Sequence, residues 1–123
     1  MFEKLTAHIP DVESGDFGSL GTTDDGRYPI QNYSSKTYAL MSEIGCFVEK
    51  YREADLHDYF SFTSEIDWDH PEEMRPVCAA AYLIERVRGE RFCDGCFLDA
   101  LEDGTILTCL RVLEKADREG RKK

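Results

Sequence analysis

Three groups of side chains in this sequence have the types and spacing that chemistry requires. The first is Cys93-Asp94-Gly95-Cys96, a CxxC motif. Such a pair is redox-active when one thiolate sits at a helix N-terminus, where the dipole lowers its pKa, and the other can resolve a mixed disulfide. Here no Lys or Arg lies between the cysteines, Asp94 disfavours the thiolate, and the preceding segment reads as helix instead of the usual strand. Phe97, Ala100 and Leu101 follow at helical spacing, so both sulfurs are expected to face a core. The same pair is half of a structural zinc site. Its other ligands would have to come from Cys46, Cys78, Cys109, His8, His57 or His70, which form neither a second CxxC nor an HxxxH.

The second group is Glu65, Asp67, Asp69, Glu72 and Glu73, which with His70 place six potential ligands in nine residues. That is enough oxygen for Mg²⁺ or Ca²⁺ if the chain folds around one point, although the spacing is not that of an EF-hand. The same residues suit a solvated helix start, with Asp69 as the cap and Glu72 and Glu73 at the positive end of the dipole. His57, between Asp55 and Asp58, has the surroundings of a base with a raised pKa. The third group is aromatic. Tyr59, Phe60 and Trp68, with Tyr51 and Phe62, either line a pocket walled by carboxylates, which would suit a cationic ligand, or belong to the core.

Other chemistries are disfavoured. Gly15, Gly18, Gly21 and Gly26 are evenly spaced, yet no GK[ST] follows them and Asp16, Asp24 and Asp25 would repel a phosphate. No nucleophile elbow, dinucleotide fingerprint or kinase element is present. No cofactor is expected.

The elements that position these residues are predominantly helical. Phe2, Leu5 and Ile9 predict a short helix ended by Pro10. Residues 14–32 read as a flexible Gly/Ser/Asp-rich loop, with a hairpin near residues 20–31 turned at Asp25-Gly26. Ser34 or Ser35 caps a helix over about 35–53, whose stripe is Tyr38, Met41, Ile44, Val48 and Tyr51. Residues 55–63 suit either a helical turn or a short extended piece. A conventional start near Asp69 to Pro71, complicated by Pro76, leads into a helix ending at Arg88, with Gly89 as the left-handed closing residue. Phe92, Cys93, Cys96, Phe97, Ala100 and Leu101 predict one wide apolar face closed by Gly104. Ile106, Leu110 and Leu113 predict another after Thr105. The fold class is therefore all-α, a compact single-domain cluster of five to six helices over residues 1–123, with a basic tail at 118–123.

The 123 residues carry 15 Lys plus Arg against 25 Asp plus Glu, a formal net charge of −10. Residues 53–73 hold eight carboxylates and no Lys or Arg, whereas residues 111–123 hold six basic and three acidic side chains. Arg111, Lys115 and Arg118 recur at helical spacing, and the interleaved Glu114, Asp117 and Glu119 favour a dipole-complementing helix end over a polyanion-binding stripe. The overall charge opposes binding to nucleic acid or anionic lipid. A chain of this size buries about two thirds of its unfolded surface, enough for one domain without disulfides. The opening residues do not form a secretory signal and no stretch is apolar enough for a membrane span, so a cytoplasmic location with five reduced cysteines is expected.

The runs GRYPIQNYS and FVEKY, a Trp at position 68 and above all RFCDGCFLDALEDGTILTCLRVLE resemble a group of small, uncharacterised bacterial domains of unknown function. The resemblance covers about Phe17 to Leu113. Its most specific part is the pattern at Arg91, Phe92, Cys93, Gly95, Asp103, Gly104, Ile106, Leu107 and Leu110. It implies a helical fold, transfers no activity, and implies an apolar residue where this chain has Cys96.

Two functions remain open from the residues. One is a non-enzymatic interaction or accessory module that turns an acidic face toward a basic protein partner or a copy of itself. The other is a small thiol- or metal-dependent protein built on Cys93 and Cys96 or on the Glu65 to Glu73 carboxylates.

Overall fold

The computed structural model describes residues 2–51, 59–90 and 92–121, and the side chains of 48–51, 59–61 and 121 also lie outside the description. Apolar residues at helical spacing and well-placed breakers set the elements. Two short helices, α1 (Glu3–Thr6) and α2 (Ile9–Glu13), precede an antiparallel hairpin of β1 (Gly18–Thr22) and β2 (Pro29–Tyr33). Helices α3 (Ser35–Tyr51), α4 (Tyr59–Ser64), α5 (Pro76–Gly89), α6 (Cys96–Glu102) and α7 (Thr105–Arg121) follow, with a 3₁₀ turn at Pro71–Glu73 before α5. The expected helical architecture with one small hairpin is thus what the chain adopts.

Helix α7 is the central post. Its stripe of Ile106, Cys109, Leu110 and Leu113 is wholly buried and packs on α5, with α1, α2 and α6 around it. In α5 the consecutive Ala79, Ala80 and Ala81 are also wholly buried, and their small side chains let the neighbouring helices approach closely. The hairpin lies on the outside of this cluster, turned at Asp25-Gly26, where Gly26 has φ +71° and the Asp25 carboxylate accepts from the Thr23 hydroxyl and the Arg27 amide. Those two hydrogen bonds hold the Asp25 carboxyl below the usual range.

Four local expectations need correction. Pro10 does not end a helix; it sits in the first turn of α2, where its missing N–H is no loss. Ser34 caps α3 by accepting from the Thr37 amide at 3.2 Å, and of the expected stripe Ile44 is buried and Met41 packs on the core, but Tyr38 is exposed while Thr37, Leu40 and Phe47 are buried, the Val48 and Tyr51 side chains lying outside the described residues. Tyr38 turns to the hairpin instead: its ring lies 5.6 Å from that of Tyr33, and its hydroxyl donates to the Gln31 carbonyl at 3.4 Å. Pro76 starts α5 outright, and neither Asp69 nor any other side chain caps the 3₁₀ turn before it.

The largest difference lies between α5 and α6. Gly89 is the last residue of α5 and Glu90 continues right-handed, so the positive φ falls instead on Gly95, at +93°. Phe92 and Cys93 therefore lie in a turn before α6 rather than on its apolar face. Phe92 is 91% exposed. The ends of α3 and α4 that the sequence placed within 52–58, including Asp55, His57 and Asp58, lie outside the described residues, as does Arg91.

This arrangement predicts opposite outcomes for two large apolar side chains. Leu110→Ala, at a site with no exposure, is expected to lower unfolding stability by about 3 kcal/mol. Phe92→Ala is expected to change it by less than about 0.5 kcal/mol. Urea titration followed by circular dichroism measures both.

Candidate functional site

The chain between α5 and α6 is organised by one carboxylate. Glu90 is only 6% exposed, and every group that reaches it is a donor. Its Oε1 accepts from the Tyr33 hydroxyl at 2.9 Å, the Gly95 amide at 3.1 Å and the Phe97 amide at 2.8 Å. Its Oε2 accepts from Gln31 Nε2 at 2.6 Å, and that amide group also reaches Asp94 Oδ1 at 3.2 Å. Two donors come from the hairpin and two from the start of α6. The carboxylate therefore caps α6 and ties β2 to the helical body in a single group.

Three donors converge on Oε1 and one on Oε2, and with the side chain only 6% exposed the carboxylate is taken up by the protein's own groups. Its geometry is that of a structural latch. Burial and the hydrogen bond to Glu90 both push the Tyr33 hydroxyl well above the ordinary tyrosine range, which keeps it protonated as the donor. Gly95 completes the joint. It needs positive φ, and a Cβ there would meet the Leu20 side chain of β1 at 3.0 Å.

The latch also decides the character of the CxxC. Cys96 is the first residue of α6, but the amide that would lend positive potential to a thiolate there is occupied by Glu90. Burial raises the Cys96 thiol, with Arg86 opposing and Glu90 adding to the rise. Cys93 is exposed, Cys96 half-buried, and neither sulfur is in the core that the spacing predicted. All five cysteines are free, with Cys46 exposed and Cys78 and Cys109 buried. Burial pushes the Cys109 thiol far up.

Two of the acidic residues after α4, Glu65 and Asp67, have separate partners. Glu65 binds the Arg75 guanidinium at 2.5 Å and receives the Cys78 thiol at 3.4 Å, and these contacts hold its carboxyl below the ordinary range. Asp67 contacts His70 Nδ1 at 2.9 Å and accepts from the Asp69 amide. Glu65, Asp67 and Glu73 border a small cavity of about 110 Å³ with His70 and Arg75, while Asp69 and Glu72 are exposed outside it. Among the described residues no three His, Cys, Asp or Glu side chains gather in a way that could hold a metal ion.

Trp68 packs edge-on against Tyr82, 4.8 Å between rings, and remains 40% exposed. Arg86 covers the same Tyr82 ring at 5.3 Å, and the tyrosine hydroxyl pairs with Thr105 at 2.7 Å. The Tyr59, Phe60 and Tyr51 side chains lie outside the described residues. The larger cleft, about 380 Å³, runs instead between the 3₁₀ turn and α7, with Pro71, Met74, Pro76, Val112 and Ala116 among its walls. Of the three basic residues at helical spacing in α7, Arg111 binds Glu13, Lys115 lies near Glu119 and Arg118 near Glu114.

The two stretches GRYPIQNYS and RFCDGC, far apart in sequence, meet at this latch through Gln31, Tyr33 and Gly95. A family described as "Family of unknown function (DUF6508)" matches residues 3–119. The chain belongs to that family. The match runs from the start of α1 to two residues before the end of α7, so the latch, the hairpin and the CxxC turn all lie within it. No curated protein and no solved structure matches the chain.

Glu90 itself escapes sequence reasoning, because a glutamate after a glycine at a helix end has the ordinary look of a solvated residue. The available signal is indirect: Tyr33 and Gln31 sit on alternate positions of β2 and so share a face, which needs a polar counterpart where it is buried.

The latch makes two predictions. Glu90→Ala leaves two backbone donors and a tyrosine hydroxyl without their acceptor, and is expected to cost about 3 kcal/mol of unfolding stability, read by urea titration. Tyr33 gains its proton affinity on folding, so its contribution is fully present below its unfolded pKa of about 10 and is lost as pH rises above that toward the raised folded value. The stability gap between wild type and Tyr33→Phe is accordingly expected to be constant from pH 7 to 9 and to shrink above pH 10. A gap that widens there contradicts the assignment.

Proposed function

We propose that this chain is a non-enzymatic interaction module acting in the cytoplasm, that its docking surface is the latched hairpin with the adjoining Phe92 turn, and that its negative charge steers it to a basic protein partner. The observation that carries the reading is where the exposed apolar side chains lie. Leu20, Tyr28, Ile30, Tyr38 and Phe92 are each at least 40% exposed. All five are on the hairpin, on the α3 residue packed against it, or in the turn that Glu90 holds beneath it. Trp68 is the other exposed large hydrophobic among the described residues.

Neither β1 nor β2 contains a charged residue, although the whole chain carries −10. Two strands without charge and five exposed apolar side chains on an otherwise strongly acidic protein have the composition of a contact region, with the surrounding charge favouring cationic partners over polyanions and over free copies of the chain. Among the described residues no helix is long and apolar enough to cross a membrane.

The thiol and metal readings have less support. Glu90 occupies the helix start that would activate Cys96, Glu65 and Asp67 are engaged by separate partners, and among the described residues no three possible ligands gather.

Cross-linking mass spectrometry of the tagged chain in an extract of its source organism tests the proposal. Cross-links from the hairpin and the Phe92 turn are expected to one basic protein, to weaken as salt is raised from 50 to 500 mM, and to disappear in Ile30→Ser/Phe92→Ser. Cys93→Ser/Cys96→Ser is expected to change nothing. Loss of the complex on replacing the cysteines, with the apolar double variant still bound, would favour the thiol reading instead.

A further inference from the structure

The two edges of the hairpin are not alike, and the difference follows from its register. Strand β1 pairs with β2 so that Leu20 faces Gln31 and Thr22 faces Pro29. The Thr23 amide donates to the Tyr28 carbonyl at 2.9 Å and the Ser34 amide to the Phe17 carbonyl at 2.9 Å. Bonded pairs alternate along an antiparallel ladder, so Ser19–Asn32 and Gly21–Ile30 are the bonded pairs between those two. The N–H and C=O of Leu20 and Thr22 therefore point away from β2, and so do those of Gln31 and Pro29 on the other side.

The β2 edge is blunted. Pro29 has no N–H, and the Gln31 carbonyl already accepts the Tyr38 hydroxyl. The β1 edge carries no such protection: the sheet has two strands, Gly18 to Leu20 and Thr22 are exposed, and residues 17–23 include no charge and no proline. Just beyond its ends stand Asp16 and Asp24, both exposed and neither ion-paired among the described residues. Seven residues separate them, the middle five of which are β1.

We infer that β1 accepts an extended segment of a partner protein as a third, antiparallel strand, one with apolar residues opposite Leu20 and Thr22 and a Lys or Arg at each end opposite Asp16 and Asp24. The inference rests on the interaction-module reading and specifies how the surface is used. Backbone pairing to Leu20 and Thr22 supplies affinity that any strand can make. The acidic ends select the sequence. They also disfavour a second copy of this chain: β1 paired with itself about Leu20 would set Asp16 opposite Asp24 of the other copy, at both ends. A basic-ended strand meets opposite charge at the same two places.

The test uses the full chain and two nine-residue probes, acetyl-KTVTVTVTK-amide and acetyl-ETVTVTVTE-amide, followed by amide NMR and calorimetry. The Lys-ended probe is expected to bind, to slow exchange of the Leu20 and Thr22 amides while leaving the Ser19 and Gly21 amides paired as before, and to bind about tenfold more tightly than the Glu-ended probe at 50 mM salt. Asp16→Lys/Asp24→Lys is expected to reverse that preference. Thr22→Pro removes an outward donor without touching a ladder bond, and is expected to abolish binding of the Lys-ended probe. Should Thr22→Pro disturb the hairpin, the double charge reversal remains a clean variant.

No binding of the Lys-ended probe at millimolar concentration overturns the inference. Slow Leu20 and Thr22 amides in a dimer without any probe overturn it in favour of a second copy. If a natural partner is lost with Ile30→Ser/Phe92→Ser while the Leu20 and Thr22 amides stay in fast exchange in the complex, strand addition fails and the module reading stands.

Discussion

A buried carboxylate surrounded by four hydrogen-bond donors is the constraint on which the rest of the surface depends. A charged oxygen removed from water costs several kcal/mol unless its hydration is replaced, and Glu90 replaces it with two amides, a phenol and a carboxamide. Because these donors come from two separate stretches of chain, the requirement is met only when hairpin and α6 are docked together. The helical cluster around α7 has an extensive apolar core of its own. The hairpin does not, and a two-stranded sheet with exposed strands is marginal alone. Glu90 is thus what turns a loose excursion into a defined surface.

The same group acts on the start of α6, where the CxxC lies. A CxxC at the start of a helix draws its reactivity from unsatisfied amides, and a carboxylate placed on one of those amides cancels that advantage and adds repulsion to any thiolate. In the acidic stretch after α4, Glu65 pairs with Arg75 and Asp67 contacts His70 at the surface, whereas the two hairpin strands carry no charge and present a directional chemistry of their own.

Much of the helical body was legible because local signals and tertiary demand agree there. The Ile106, Leu110 and Leu113 stripe, the Gly104-Thr105 boundary and the Asp25-Gly26 turn all appear where periodicity and turn chemistry place them. The errors arise where a local pattern admits two structures. Phe92, Cys93, Cys96 and Phe97 fit one helical face, yet a left-handed residue at Gly95 interrupts it and leaves Phe92 in solvent. Gly89 and Gly95 are equally plausible breakers in the sequence, and the choice between them is made by Glu90, whose carboxylate holds the Gly95 and Phe97 amides. Contacts between residues 31–33 and 90–97 are long-range, so neither segment alone announces them.

Amide hydrogen exchange on Glu90→Gln measures the central claim directly, because this substitution keeps the size of the side chain while replacing one acceptor oxygen by a donor. If Glu90 is the latch, the Gly95 and Phe97 amides and the β1–β2 ladder amides of Ser19 and Gly21 lose protection together, while the Leu110 and Leu113 amides of α7 keep theirs. If the hairpin amides retain wild-type protection, or if every amide weakens to the same degree, the hairpin is held by something other than this carboxylate and the account of the surface built on it is wrong.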